Sequence, residues 1–305
     1  MDEVLPLPPA SLNQVSSSPP SPALAWCVWQ MMDSNLPTGG FAHSYGLEAA
    51  MQMGQFELKG GASGDKEARV AGLLVFARQT VQQQAMLLLP LVRAAYAAAE
   101  AMEVPGRPGS SPPSAQPLVM AWASLDRQCH ALLTTEGGRR ASVSQGQALL
   151  RLACDNFPTI SPQNRRWLCH ARDQVRGRPP AKAAGGSEGR NGAVPPQLLP
   201  VKGHQAPLFG WLCRALGVDV ITTSRMFCYL VLRDLMAAAT RLGLVGPLQA
   251  VRLQMLMYQD AEAIVTRCLE EGARREERRE PRQDNPLLDI LQGAHEKLYS
   301  RLFIS

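Results

Sequence analysis

An all-α fold follows from three features of the 305-residue sequence. Aromatic residues supply only 6% of a chain that is 46% hydrophobic, so its core must rest on Leu, Ala, Val and Met, which suit helices better than strands. The long apolar stretches show helical periodicity and no convincing strand alternation. Proline, glycine or a short polar side chain stands at most of their ends, where helices start and stop. The expected architecture is one globular domain, residues 23–305, built as a bundle of roughly ten helices. A disordered Pro/Ser-rich arm at 1–22 precedes it, and disordered insertions are expected near 103–116 and 177–201.

Residues 23–33 read as a short amphipathic helix carrying Trp26, Trp29, Met31 and Met32. Pro37 stops it, Gly39-Gly40 permits a turn with positive φ, and 42–53 restarts a helix. This glycine turn is no phosphate cradle. A Walker loop needs GxxxxGK[ST], and a dinucleotide fingerprint needs a preceding strand; neither is present. Phe41 is an aromatic at a solvent-facing turn, either a plug into the protein's own core or a contact offered to a partner. Residues 66–102 form a long helical stretch that Pro90 kinks or divides. Two further helices, 118–135 and 139–157, are separated by Glu136-Gly137-Gly138. Small residues Ala141, Ser142 and Gly146 on the second let a neighbour approach closely. A nucleophilic Ser142 or Ser144 would need a positioned base, and none stands nearby in sequence.

A basic helix at 161–175 bears Arg165, Arg166 and Arg172, with Arg176 just beyond; its reading is a solvated face. The adjacent pairs Cys129-His130 and Cys169-His170 point about 100° apart on a helix and chelate poorly. After GHQAPLFGWLCRALGVD, with His204 and Pro207 at its mouth, comes the helix around which the chain is organised, 220–243. Thr222, Thr223 or Ser224 caps its start and Gly243 ends it. It is apolar on nearly every side, which marks a buried helix. Arg225, Tyr229, Arg233 and Arg241 recur at multiples of four and predict one slanted polar stripe. That stripe is either the exposed edge of a core helix or a face toward another subunit. The second reading is favoured because Arg and Tyr are common interface anchors. One helix is expected over 247–271, a solvated charge run over 272–284, a last short helix over 286–295, and then the apolar tail LYSRLFIS.

Bulk properties exclude several classes. A net charge of +5 is too small and scattered to argue nucleic-acid binding. Seven cysteines without a CxxC pair support neither a disulfide framework nor a zinc site, and read as buried residues of a reducing compartment. No uninterrupted apolar run approaches the roughly 20 residues that span a bilayer. Asp2 and Glu3 before proline and serine do not resemble a leader, so the expected location is cytoplasmic. Five histidines, none in a usable motif, argue against an enzyme.

The stretches LPTGGFAHSYGLEAAMQMG, RRASVSQGQALLRLA, GHQAPLFGWLCRALGV and RDLMAAATRLGLVGPLQAVRLQ together resemble urease accessory protein F, and the ending PLLDILQGAHEKLYSRLFIS is similar to that of its plant and algal members. The resemblance runs from about Trp26 to Ser305; the arm and the two insertions have no counterpart in the compact bacterial pattern. It implies a non-enzymatic adaptor of urease maturation. Such an adaptor dimerises, binds urease accessory protein D (H in some bacteria) and recruits the GTPase accessory protein G. The assembly then meets apo-urease. Nickel and GTP are handled by partner proteins, with no cofactor or metal bound directly, and neither nucleic acid nor membrane is involved. The positions of Phe41 and Arg301 belong to partner-binding surfaces, and those of Arg225 and Tyr229 to the dimer-forming helix. The candidate partner-binding residues are therefore Phe41, His43, Tyr299, Arg301, Leu302 and Phe303, and the candidate dimer residues Arg225, Tyr229 and Arg233. Catalytic, cofactor and metal residues are none. The tail either folds back on its own bundle or is loose when free and orders against accessory protein D, the reading favoured here. The alternative function is a basic helical RNA- or protein-binding module unrelated to urease.

Overall fold

The computed structural model describes residues 21–56, 64–102, 116–177, 200–274 and 280–305. Most of the expected arm and insertions, and 275–279 of the charge run, lie outside these residues. Within them the chain forms eleven α-helices and one 3-10 turn, with no strand. The helices are α1 (Pro22–Met32), α2 (Leu47–Gln52), α3 (Gly64–Met102), α4 (Gln116–Leu132), α5 (Glu136–Asp155), α6 (Pro162–Val175), α7 (Gln205–Leu216), α8 (Val220–Arg241), α9 (Pro247–Leu256), α10 (Tyr258–Arg274) and α11 (Pro286–His295).

The central element is α3. It packs on α4, α7, α8 and α10, and Leu73, Ala77, Ala85, Leu89 and Val92 are wholly buried in those contacts. Taken as a whole helix, α3 is long and apolar enough to cross a bilayer, but most of that stretch is covered by the bundle. Pro90 does not divide it. A proline lacks the N–H that would bond to the carbonyl four residues back. Here that orphaned acceptor, Met86 O, takes the backbone N–H of Arg282 at 3.2 Å instead. Gln83 Oε1 accepts the N–H groups of Asp284 and Asn285, both at 2.8 Å, so the strap leading into α11 is laid along α3. Gly210 on α7 crosses the same helix so closely that a Cβ would sit 1.9 Å from Val92 O.

Other boundaries shift for local reasons. The N-cap of α8 is Asp219, whose carboxylate accepts from Ile221 and Thr222 N–H, so Thr222, Thr223 and Ser224 lie inside the helix. Thr135 caps α5 through the Gly138 N–H, which draws Gly137 and Gly138 into the helix rather than leaving them as a linker. Residues 247–271 split at Met257 into α9 and α10. Between the glycine turn and α2, Tyr45 and Gly46 adopt positive φ (55° and 83°), which delays the helix expected from residue 42 until Leu47.

Candidate partner-binding surfaces

The first surface is built where the chain end returns to the glycine turn. Gly39, at φ 81°, reverses the chain into the 3-10 turn Gly40–Ala42 and leaves Phe41 58% exposed. The tail then lies along this turn. Ile304 N donates to Ala42 O at 2.9 Å, and Ser44 N to Ser305 O at 2.7 Å. His43 Nδ1 and Ser305 Oγ are 2.6 Å apart. Beneath them Glu48, buried in the first turn of α2, collects three partners. Its Oε1 accepts Leu302 N at 2.6 Å; its Oε2 accepts Phe303 N at 3.1 Å and meets His295 Nε2 at 2.8 Å. Arg241, from the end of α8, donates to Phe41 O and lies 4.3 Å above the Phe303 ring.

The tail is thus bound to its own bundle by backbone hydrogen bonds, which corrects the expectation of a loose end. The physical reason is the acceptor: a buried carboxylate would be costly unless hydrogen-bonded, and the tail's N–H groups satisfy it. Phe303 and His43 are buried and hold the tail, so neither offers its side chain outward. Tyr299, Arg301, Leu302 and Ile304 stay exposed, as does Phe41 on the adjoining turn. Arg301 makes no side-chain hydrogen bond or ion pair among the described residues. Burial first, and then the nearby His295, push His43 down to about 4, so it is neutral near pH 7.

The second surface is an apolar groove of about 400 Å³ between α8, α9 and α10. Tyr229, Leu232, Val251, Met255 and Tyr258 line it, and Arg225 closes one side through Glu262, with Nε 2.9 Å from Oε2. Leu248, Val251, Met255 and Leu256 leave the outer side of α9 exposed. Arg233 does not belong here. Only 14% of its side chain is exposed; it bonds Asp234 Oδ1 at 2.7 Å and donates to Met32 O, tying the end of α1 to α8. Arg241 has likewise turned to the glycine turn. A spacing of four advances about 40° beyond a full turn at each step, so a stripe of sixteen residues winds nearly to the opposite face. Only Arg225 and Tyr229 share the groove.

A third polar cluster is sealed inside. Asp126, wholly buried, accepts the N–H groups of Lys202, Gly203 and His204 at 2.7, 3.0 and 2.6 Å and fixes the entry to α7. His204 Nδ1 lies 3.1 Å from Ser142 Oγ, and its Nε2 3.1 Å from His130 Nδ1. Sequence distance had hidden this partner of Ser142. Ser142 Oγ also accepts Gln205 N–H, and the side chains of Ser142 and His204 are buried, so that pair packs the α5–α7 contact. The close approach expected at Gly146 is to the backbone of 203–205: a Cβ there would lie 2.1 Å from Gly203 O. Burial lowers His204 to about 4 despite the opposing charge of Asp126. Among the described residues, no group of three or more His, Cys, Asp or Glu side chains could hold a metal ion.

Sequence reading missed Glu48, His295 and Asp126 because their roles depend on contacts far apart in the chain. The one local signal was a charged residue in the first turn of an otherwise apolar short helix, as in Gly46-Leu47-Glu48-Ala49-Ala50.

The UreF family model matches residues 69–258. The chain is 37% identical to urease accessory protein F of Oryza sativa subsp. indica, over 96% of this chain and 87% of the relative. It is 35% identical to urease accessory protein F of Arabidopsis thaliana over 93% and 94%. It is also 26% identical to urease accessory protein 6 of Cryptococcus neoformans var. grubii over 97% and 100%. With the family model spanning most of α3 through α9 and the two plant relatives aligned over more than nine-tenths of the chain, the chain belongs to the UreF family.

Proposed function

We propose that this chain is a urease maturation factor that acts as a non-catalytic adaptor in the cytoplasm. On this reading the loop–tail surface of Phe41, Tyr299, Arg301, Leu302 and Ile304 receives accessory protein D/H and brings in the GTPase accessory protein G. The α8–α10 groove pairs with a second copy through Arg225 and Tyr229. Nickel and GTP remain with the partners, and apo-urease receives the metal. The observation that carries the reading is the loop–tail unit itself: buried Glu48 holds the main chain while the apolar side chains and Arg301 face outward. A terminus anchored in this way loses little further conformational entropy when it docks. Co-purification with D/H and G, followed by urease activation with nickel and bicarbonate, tests it. A stable complex and dependence of activation on this chain are expected; normal activation without it would end the adaptor reading.

A further inference from the structure

Two cysteines that the adaptor reading does not use meet where α5 and α6 pack. Cys154 is the penultimate residue of α5 and is 4% exposed. Two arginines of α6 clasp this helix end. Arg165 donates to the carbonyl oxygens of Cys154 and Phe157, and Arg172 Nη1 lies 3.2 Å from Asp155 Oδ1. Positions 165, 169 and 172 follow one another at steps of four and three, so they share one face of α6. Cys169 therefore sits between the two clasping arginines, on the face of α6 turned toward the end of α5, where its thiol neighbours that of Cys154. Cys169 is partly exposed, whereas its partner is buried.

We propose that Cys154 and Cys169 form a dithiol site that a small disulfide such as oxidised glutathione converts to an intramolecular disulfide, stapling α5 to α6. The partly exposed Cys169 gives its proton to solvent, and its thiolate attacks one sulfur of the oxidant. The oxidant's S–S bond breaks and one glutathione leaves as a thiolate, which takes up a proton. Cys154 then loses its proton and attacks the Cys169 sulfur, expelling the second glutathione. Two protein thiols are oxidised and one glutathione disulfide is reduced to two thiols. Burial first, and then the neighbouring Cys169 thiol, push Cys154 up to about 12. A low thiol pKa stabilises the reduced form; a raised one works the other way and favours the disulfide at equilibrium, while slowing its closure. The arginine clasps hold α6 against the end of α5 before the bond forms, so closure needs no new docking of the two helices.

The test equilibrates the full chain in glutathione buffers from reducing to oxidising, quenches with acid, alkylates free thiols and identifies tryptic peptides by mass. Arg151, Arg165, Arg166 and Arg172 place the two cysteines in separate peptides, so a link between them is diagnostic. The expected result is one linked pair, two hydrogens lighter than its parts, with unchanged helical circular dichroism and a melting temperature raised by several degrees. C154S is expected to keep glutathione on Cys169, and C169S to leave the residue-154 thiol unmodified. If C154S does not fold, C154A serves, since it fills the buried site without a hydroxyl. Complete alkylation of both cysteines at the oxidising end, or cross-linking of Cys169 to another cysteine in the folded wild type, overturns the proposal.

Discussion

The loop–tail unit and the α8–α10 groove both face solvent, but different forces shape them. In the first, exposed apolar side chains ride on a main chain held by Glu48, His295 and the 42–44 turn. In the second, the walls are packed aliphatic and aromatic side chains, and the single polar brace, Arg225 to Glu262, is itself well exposed. A surface held by a buried carboxylate is set in shape before any partner arrives and fails as a unit when that carboxylate is removed. A groove of apolar walls keeps its shape under substitution, but gains its energy only when something covers it.

This difference can be broken first at Glu48. Glu48→Ala leaves the N–H groups of Leu302 and Phe303 and a buried histidine without their acceptor, and is expected to cost about 3 kcal/mol in urea unfolding. A cost under about 1 kcal/mol would mean that the tail is held by Phe303 packing alone. Tyr229→Asp should act in the opposite way. It leaves monomer stability nearly unchanged but places a charge where a second copy would cover it, weakening self-association by about 2 kcal/mol or more. Light scattering that shows an unchanged dimer would remove Tyr229 from the contact.

A pH titration sharpens the contrast. Histidine ordinarily titrates near 6.5, and burial holds His43 at about 4. The unfolded chain therefore binds a proton between those values that the folded chain refuses. Stability from this group is complete above pH 6.5 and declines as pH falls toward 4, at up to about 1.4 kcal/mol per unit. His204 has the same sign and window. Subtracting the curve of His43→Gln from that of the wild type isolates the loop–tail share; parallel curves would show that His43 is not held neutral. The smallest effect belongs to Arg225→Ala. Its ion pair with Glu262 is about two-fifths exposed on both sides, so the isolated chain should lose less than about 1 kcal/mol.

Much of the bundle was legible because its signals are local. Ser161 before Pro162, Asn285 before Pro286 and the apolar spacing of α3 place those helices almost to the residue. What escaped was set by distant partners. Pro90 looked like a breaker until Arg282 supplied a donor for Met86 O. Arg233 read as interface because spacing does not show that the end of α1, through Met32 O, waits beside it. Glu48 showed only as a charge in an apolar turn, because the partners that give it a role lie about 250 residues further along the chain. Phe41, Tyr229 and Arg301 are exposed, and an aromatic or arginine at a turn, an open helix face or a chain end is a signal that needs no partner to be read.

The central claim, that side chains on the anchored tail form the docking face for accessory protein D/H, is tested most directly by a variant that spares every anchor. L302D with I304D changes two exposed side chains and leaves Phe303 and the backbone bonds to Glu48 and Ala42 in place. Its melting temperature and helical content should match the wild type while co-purification with accessory protein D/H falls at least tenfold, the factor for about 1.4 kcal/mol. A folded double variant that still captures D/H at full strength would contradict the claim.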